Sequence, residues 1–328
     1  MTRGFLLGKF MPPHEGHVML CDFARAYCDE LTVLVCTRDV EPIDGALRLA
    51  WMRELCPGAR VVHYDKDVPQ EPSEHPDFWT IWRGIAKEAH PEPVDFVFAS
   101  EDYGQRLAQE LGAKYVPFDP ARDAVPVSGT DIRNAPFAHW RFLPPPVRAH
   151  YAKSVCLHGP ESTGKSTLSK ALAAHFGTVA APEYGRTYCE VFGSECDADD
   201  LRAIVRGHDA QDFAARRQAN RILIQDTDAV MTAVWADMLL GHRPDDLDHV
   251  ARTADLYILC DIDIPWKFDG TRYTQLSADE TRRRFFDLCR AELERRQLPY
   301  VFVSGGHEAR LRTAVDAILK RFPELRTP

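Results

Sequence analysis

The chain reads as an α/β protein of two domains, each built on a doubly wound parallel sheet. Three observations predict this. Short β-branched, continuously apolar runs alternate with helix-like segments along the whole length, as expected of strands buried on both faces. The alternation breaks once, at Pro144-Pro145-Pro146, and then restarts. Each of the two blocks opens on a phosphate-handling signature: PPHEGH at 12–17 and GPESTGKST at 159–167.

In the first block, strands are expected at 4–8, 31–36 (LTVLVC), 60–64, 96–99 (FVFA) and 114–118. Helices are expected from about 17 to 28 and at 45–56, 78–89 and 101–112. The proline triplet cannot continue a helix or a central strand, so it reads as a linker or stiff crossing segment. It sets the division at 1–146 and 147–328. In the second block a strand at 154–158 leads through a loop into a helix at 165–176, with further strands at 178–181, 222–225, 256–261 and 300–303.

A length of 328 residues suits two cores, and 45% hydrophobic with 27% charged residues is ordinary for a globular enzyme. The net charge of −9 argues against nucleic acid or an anionic membrane as partner. Polyphosphate binding must then come from local cations and backbone amides. The nine cysteines are scattered, odd in number and form no CxxC pair, so neither a zinc ribbon nor a disulfide framework is indicated, and a reducing cytoplasm is the simplest compartment. No signal peptide is recognisable, and no stretch approaches the roughly 20 apolar residues that span a bilayer.

Residues 159–166 fit G-x-x-x-x-G-K-[ST] at every constrained position. Gly159 and Gly164 let the backbone curl so that the amides around Ser162 and Thr163 point at one phosphate; Thr167 follows in the first helical turn. Lys165 reaches the β/γ oxygens, and the Ser166 hydroxyl ligates Mg²⁺. The strand 222–225 ends in Asp226-Thr227-Asp228, where Asp226 or Asp228 would hold Mg²⁺; an ordinary helix cap at Asp228 is the plainer reading. In Pro182-Glu183-Tyr184-Gly185-Arg186, Glu183 is the candidate base toward an attacking hydroxyl. Tyr184 offers a ring for a flat substrate and Arg186 a cation, against a simple Glu183–Arg186 ion pair. Asp269-Gly270-Thr271-Arg272 reads as a lid, with Arg272 closing on the transferring phosphoryl group.

At the head of the chain, His14 and His17 flank Gly16 at a helix start, where two imidazoles and close backbone approach can converge on a phosphate. A third metal ligand is missing, so zinc is not expected. Ser128, Thr130 and Arg133 of SGTDIR form a distant second anion clamp, and Lys9 supplies a further cation. An HxGH with a distant SxTxxR is the paired signature of α/β nucleotidyltransferases. Their chemistry needs no covalent nucleophile: a substrate phosphate attacks the α-phosphorus of ATP while pyrophosphate leaves. Trp79 and Trp82 sit on a stripe with Phe78, Ile81 and Ile85, which reads first as core and second as a surface for stacking a base.

Taken in order, GKFMPPHEGH, EPIDGALRLAWMREL, ASEDYG and PVSGTDIR, followed by a P-loop, EYGR and DGTR, resemble NadR-type proteins over essentially the whole chain. The resemblance implies a nicotinamide-nucleotide adenylyltransferase followed by a ribosylnicotinamide kinase, both using ATP with Mg²⁺. It adds Gly8 and Phe10 to the nucleotide-binding set. The implied small-molecule partners are nicotinamide riboside, nicotinamide mononucleotide (NMN) and NAD, with homo-oligomerisation left open. Some relatives carry an N-terminal helix-turn-helix; here the sequence starts at the first nucleotidyltransferase strand, so DNA binding is not expected. Two other readings stay open: a fusion acting on another substrate such as sulfate and adenylylsulfate, and a nucleotide-sensing regulator with little turnover.

Overall fold

The computed structural model describes residues 1–268 and 274–326, in two compact units, Met1–Val147 and Arg148–Pro328. In the first unit the chain runs β1 (Arg3–Gly8), α1 (Glu15–Tyr27), β2 (Glu30–Cys36), α2 (Gly45–Leu55), β3 (Arg60–Tyr64), α3 (Phe78–Ala89), β4 (Phe96–Ala99), α4 (Tyr103–Leu111), β5 (Lys114–Pro117) and α5 (Gly129–Asn134). Its five strands are parallel in the order β3-β2-β1-β4-β5.

Alternation along the strands explains the two cores. Leu6, Val33, Val35 and Phe98 meet Leu20, Cys21 and Ala24 of α1 and Met52 of α2. Phe5, Leu34, Cys36 and Val97 face the other way, onto Phe78, Trp82 and Ile85 of α3 and Leu107 of α4. A strand buried on both faces needs apolar residues at successive positions, which is the pattern in LTVLVC. The strand order reverses between β1 and β4, and a crevice opens beyond their carboxyl ends.

The proline triplet corrects the expectation of a linker: Pro145 begins helix α6 (Pro145–Tyr151). Proline is excluded from a helix interior because it lacks an N–H, but the first turn has no intrahelical use for that N–H.

The second unit continues with β6 (Lys153–His158), α7 (Lys165–Phe176), β7 (Ala180–Ala181), α8 (Tyr184–Phe192), α9 (Ala198–Arg216), β8 (Ile222–Asp226), α10 (Ala229–Leu239), α11 (Asp245–Asp248), β9 (Leu256–Cys260), α12 (Asp279–Arg295), β10 (Tyr300–Val303) and α13 (His307–Arg321). Its parallel sheet has the order β10-β9-β6-β8-β7. The expected strand 178–181 shortens to β7's two residues. Val155 and Leu157 of the central β6 pack with α7 and α13, whereas Cys156 packs with α10 and α12. Among the described residues, no helix is long and apolar enough to cross a membrane.

Candidate functional site

In the first unit, a cleft of about 990 Å³ lies at the carboxyl end of the sheet, bordered by Gly8, His14, His17, Ser128, Thr130 and Arg133. His14 is the residue before the first turn of α1, and its N–H donates to Nδ1 of His17 at 3.2 Å. With Nδ1 accepting, a neutral His17 ring carries its proton on Nε2. The two imidazoles lie 3.9 Å apart between centroids, and the buried Phe10 ring meets His17 edge-on at 5.0 Å. Gly8 leaves room for that ring, since a Cβ there would stand 3.2 Å from it.

His14 is buried, and its Nδ1 has no hydrogen-bond partner. Burial, then the positive charge of Arg122, pull its pKa down to about 4. Burial, then His14 and Arg122, push His17 well below its ordinary value as well. Two neutral imidazoles and the Arg122 guanidinium thus face one space, where a bound anion would offset the guanidinium charge and favour protonation of the rings.

The distant clamp is brought to this space. Arg133 donates through Nη1 to the carbonyl of Met11, in the loop before His14, and through Nη2 to Thr130 Oγ1 at 3.0 Å. Gly129 is needed for the approach, because a Cβ there would stand 2.8 Å from the Met11 carbonyl oxygen. Ser128 caps α5: its Oγ accepts from the Asp131 amide at 3.1 Å, and its amide donates to Asp131 Oδ2 at 2.9 Å.

In the second unit the loop 159–164 leaves β6 and enters α7. Gly159, Ser162 and Gly164 adopt positive φ angles of 129°, 60° and 83°. Two buried arginines, from α12 and α13, hold carbonyls of this loop. Arg310, fully buried, donates to Thr163 O at 2.7 Å and Gly305 O at 2.8 Å, and Arg282 donates to Ser162 O at 3.2 Å. With its carbonyls held there, the loop presents amides to a phosphate. The ammonium of Lys165 donates to Pro160 O at 2.9 Å. Asp226 ends β8 beside Leu157 of β6, buried, with an Oδ1 that lacks any hydrogen-bond partner. That orphaned oxygen and the hydroxyl of Ser166 are a donor set of the kind Mg²⁺ takes.

A smaller pocket of about 70 Å³ adjoins, lined by Glu161, Glu183, Arg186, Thr227, Thr232 and Trp235 among others.

A family model described as an AAA domain matches residues 154–310. The trifunctional NAD biosynthesis/regulator protein NadR of Escherichia coli (strain K12) is 31% identical over 352 residues, covering 99% of this chain and 84% of the relative. The chain belongs to the NadR family. The NadR of Salmonella typhimurium (strain LT2) is 29% identical over 98% of this chain and 83% of its own length. A crystal structure of a NadR protein in complex with NR superposes with a TM-score of 0.73, and one in complex with NAD and AMP-PNP with 0.72. Both are 22% identical to this chain and cover 98% of it and 96% of themselves, which establishes the shared fold.

Within this NadR-family chain, several expected residues take other roles. Asp228 is the cap of α10: Oδ1 accepts from Val230 N at 3.0 Å and Oδ2 from the Tyr257 hydroxyl at 2.5 Å. Burial, partly offset by these bonds, raises its pKa to about 6, and its carboxylate is occupied rather than offered to substrate. Tyr184 gives its ring to packing on α9, so close that a Cβ at Gly207 would stand 1.9 Å from it. The aromatic side chain lining the small pocket is instead Trp235 of α10. The largely apolar run of α10, with six of its first eight residues buried and apolar, hid that residue among core positions.

Glu183 and Arg186 both line the pocket and pair at 3.7 Å. Ser162 accepts from the Lys267 amide at 2.9 Å through its hydroxyl, and Thr167 is exposed on the first turn of α7. Arg272 lies outside the described residues.

In the large cleft, Lys9 pairs with Glu41 at 3.5 Å. Trp82 is a buried wall residue whose indole N–H donates to Pro69 O at 3.0 Å. Trp79 is more open, with the Arg106 guanidinium 5.8 Å from its ring. Sequence reasoning missed Arg122, carried on a loop that Asp119 ties by accepting from the amides of Asp123, Ala124 and Val125. The Asp-Pro start of that loop was its one local signal. It also missed Arg48, fully buried, which donates to Lys9 O at 2.8 Å and Glu41 Oε2 at 2.6 Å.

Proposed function

We propose that this chain makes NAD from nicotinamide riboside in two ATP-dependent steps. Residues 148–328 phosphorylate the riboside to NMN, and residues 1–147 transfer AMP from ATP to NMN, releasing pyrophosphate. The observation that carries this reading is the presence of two separately built phosphate cradles in a chain matching NadR over 99% of its length. The same membership disfavours the sulfate and pure-sensor readings.

In the kinase unit the loop amides and Lys165 bind the β/γ-phosphates; Lys165 exchanges Pro160 O for a phosphate oxygen. Ser166 and Asp226 would hold Mg²⁺, which would neutralise charge on the phosphates. Glu183, which pairs with Arg186 at 3.7 Å, takes the proton of the riboside 5′-hydroxyl. Trp235 and the two threonines shape a narrow acceptor pocket for a flat ring.

In the adenylyltransferase unit His14, His17 and Arg133 grip the triphosphate, and the backbone at Gly16 admits it closely. The Ser128–Thr130 turn and Arg122 complete the positive lining. Trp79 offers the ring face for a base. These groups align the NMN phosphate with the α-phosphorus and stabilise charge that develops as pyrophosphate departs.

ATP and nicotinamide riboside, followed by product analysis over time, should give NMN first and NAD later. Lys165→Ala should abolish riboside phosphorylation but spare NAD synthesis from supplied NMN, and His17→Ala should do the reverse. A folded variant of either kind that loses both activities refutes the two-site reading.

A further inference from the structure

Of the nine cysteines, seven are buried: 21, 28, 36, 56, 156, 260 and 289. The remaining two, Cys189 and Cys196, are half-exposed and touch each other, Sγ to Sγ 3.7 Å. They sit on different elements. Cys189 lies in the last turns of α8, and Cys196 lies in the loop before α9, just ahead of the capping residue Asp197. Gly193, at φ 97°, reverses the chain between them, a conformation that glycine adopts freely.

Neighbouring contacts hold the two sulfurs together. The Tyr188 hydroxyl donates to Asp200 Oδ1 at 2.7 Å, joining the end of α8 to the start of α9. Asp197 and Asp200 exchange capping bonds with each other's amides, which fixes the entry to α9. Both thiols also line the small pocket that holds Glu183 and Arg186.

We propose that Cys189 and Cys196 form a reversible oxidation site that takes low-molecular-weight disulfides as its substrate and closes the acceptor pocket of the kinase unit. The effect on catalysis rests on the kinase reading given above; the oxidation itself does not. Either thiol can donate across the 3.7 Å contact, which stabilises whichever sulfur is the thiolate, and the step runs with Cys196, on the loop before α9, as the attacking sulfur. Its thiolate attacks one sulfur of the small disulfide, giving a mixed disulfide and one released thiolate. Cys189 then attacks Cys196 Sγ, forming the internal disulfide and releasing the second thiolate. The two protein thiols are oxidised, the small disulfide is reduced to two thiols, and the two protein-derived protons pass through solvent to the released thiolates.

Closure consumes the pocket. A disulfide requires the sulfurs at about 2.05 Å, so they must approach by roughly 1.6 Å from their 3.7 Å contact. A space of about 70 Å³ has little slack for such a shift in its own wall. The buried pair Cys21 and Cys56 lacks access to any such oxidant and serves as an internal control.

The test incubates the full chain in glutathione buffers of graded oxidised-to-reduced ratio. Non-reduced peptide mapping, riboside phosphorylation and NAD formation from NMN are then followed in parallel. The expected result is a Cys189–Cys196 disulfide, a fall of at least tenfold in riboside phosphorylation at sub-saturating riboside, unchanged NAD formation from NMN, and recovery with dithiothreitol. In Cys196→Ser the ratio of oxidised to reduced kinase rate should stay near one, whatever its basal rate. Any of three results overturns the proposal: no internal disulfide at the most oxidising ratio, a disulfide with unaltered kinase rate, or equal inhibition of Cys196→Ser. A fully reduced protein that does not phosphorylate the riboside refutes the kinase reading instead, while the peptide map still decides whether the disulfide forms.

Discussion

Replacing Arg48 by Met should destabilise the first unit by about 3 kcal/mol, a value set by what the guanidinium leaves behind. Arg48 is wholly buried, and its partner Glu41 has only 8% of its side chain exposed. Removing one side of such a pair typically costs ~3–5 kcal/mol, because the other charge stays buried. Here Lys9 Nζ at 3.5 Å and the Arg38 amide at 3.0 Å still face Glu41, which places the expectation at the lower end. The Lys9 carbonyl loses its donor too, so the loop leading to His14 loosens. In thermal unfolding this corresponds to a midpoint roughly 6–12 °C lower for a unit of this size. AMP transfer should fail at the lower temperature while riboside phosphorylation persists.

Burial alone would raise the Glu41 carboxyl, but the Arg48 side chain and the Arg38 amide hold it below its ordinary value. A depressed carboxyl stabilises the fold fully above its unfolded pKa of about 4.3, and that contribution is lost as pH falls through the folded value. The gap between parent and variant should therefore narrow below about pH 4. Adding Glu41→Gln should recover at least ~1 kcal/mol by removing the stranded charge. The reasoning fails if Arg48→Met alone changes stability by under ~0.5 kcal/mol, or if the double variant is no more stable than the single.

Glu183→Gln should lower riboside phosphorylation about 10²–10⁴-fold with the ATP dissociation constant unchanged; unaltered turnover would move the base elsewhere. Gly207→Ala would press a methyl into the Tyr184 ring and should cost ~1–3 kcal/mol, lowering kinase activity but not AMP transfer, as read by urea unfolding and paired assays. His14, held near 4 by burial and Arg122, refuses a proton that the unfolded chain accepts near 6.5. Its contribution to stability is complete above pH 6.5 and is lost on the way to pH 4, up to ~3 kcal/mol. Urea titrations at pH 7 and 5 should show this loss, and His14→Asn should flatten it.

The parts legible from sequence share a cause. A P-loop, an HxGH turn and a buried parallel strand are encoded over a few consecutive residues, through positive φ angles, helix starts and alternating burial. Their boundaries survive in the structure almost unchanged. Misreadings arise where a residue's use depends on a partner far along the chain. Asp228 was open to metal or cap until Tyr257, from a different strand, occupied its second oxygen. Tyr184 looked available until Gly207 of α9 came to lie beneath its ring. Pro145 misled for a different reason: a proline run excludes a helix interior but not a helix start.

By itself, the amino-acid order determined the α/β class, the two-block plan, the backbone cradles for phosphate, and a family resemblance that the chain's relatives bear out. Only tertiary structure decided which side chains remain to meet a ligand. Arg310 ties the carbonyl of Thr163 across 147 positions, Arg133 reaches Met11 across 122, and Trp235 rather than Tyr184 lines the small pocket beside Glu183. A backbone turn is a local minimum of torsional energy, so spacing reveals it. A side chain's hydrogen bonds and burial depend on what the whole fold sets beside it, and no local pattern carries that information.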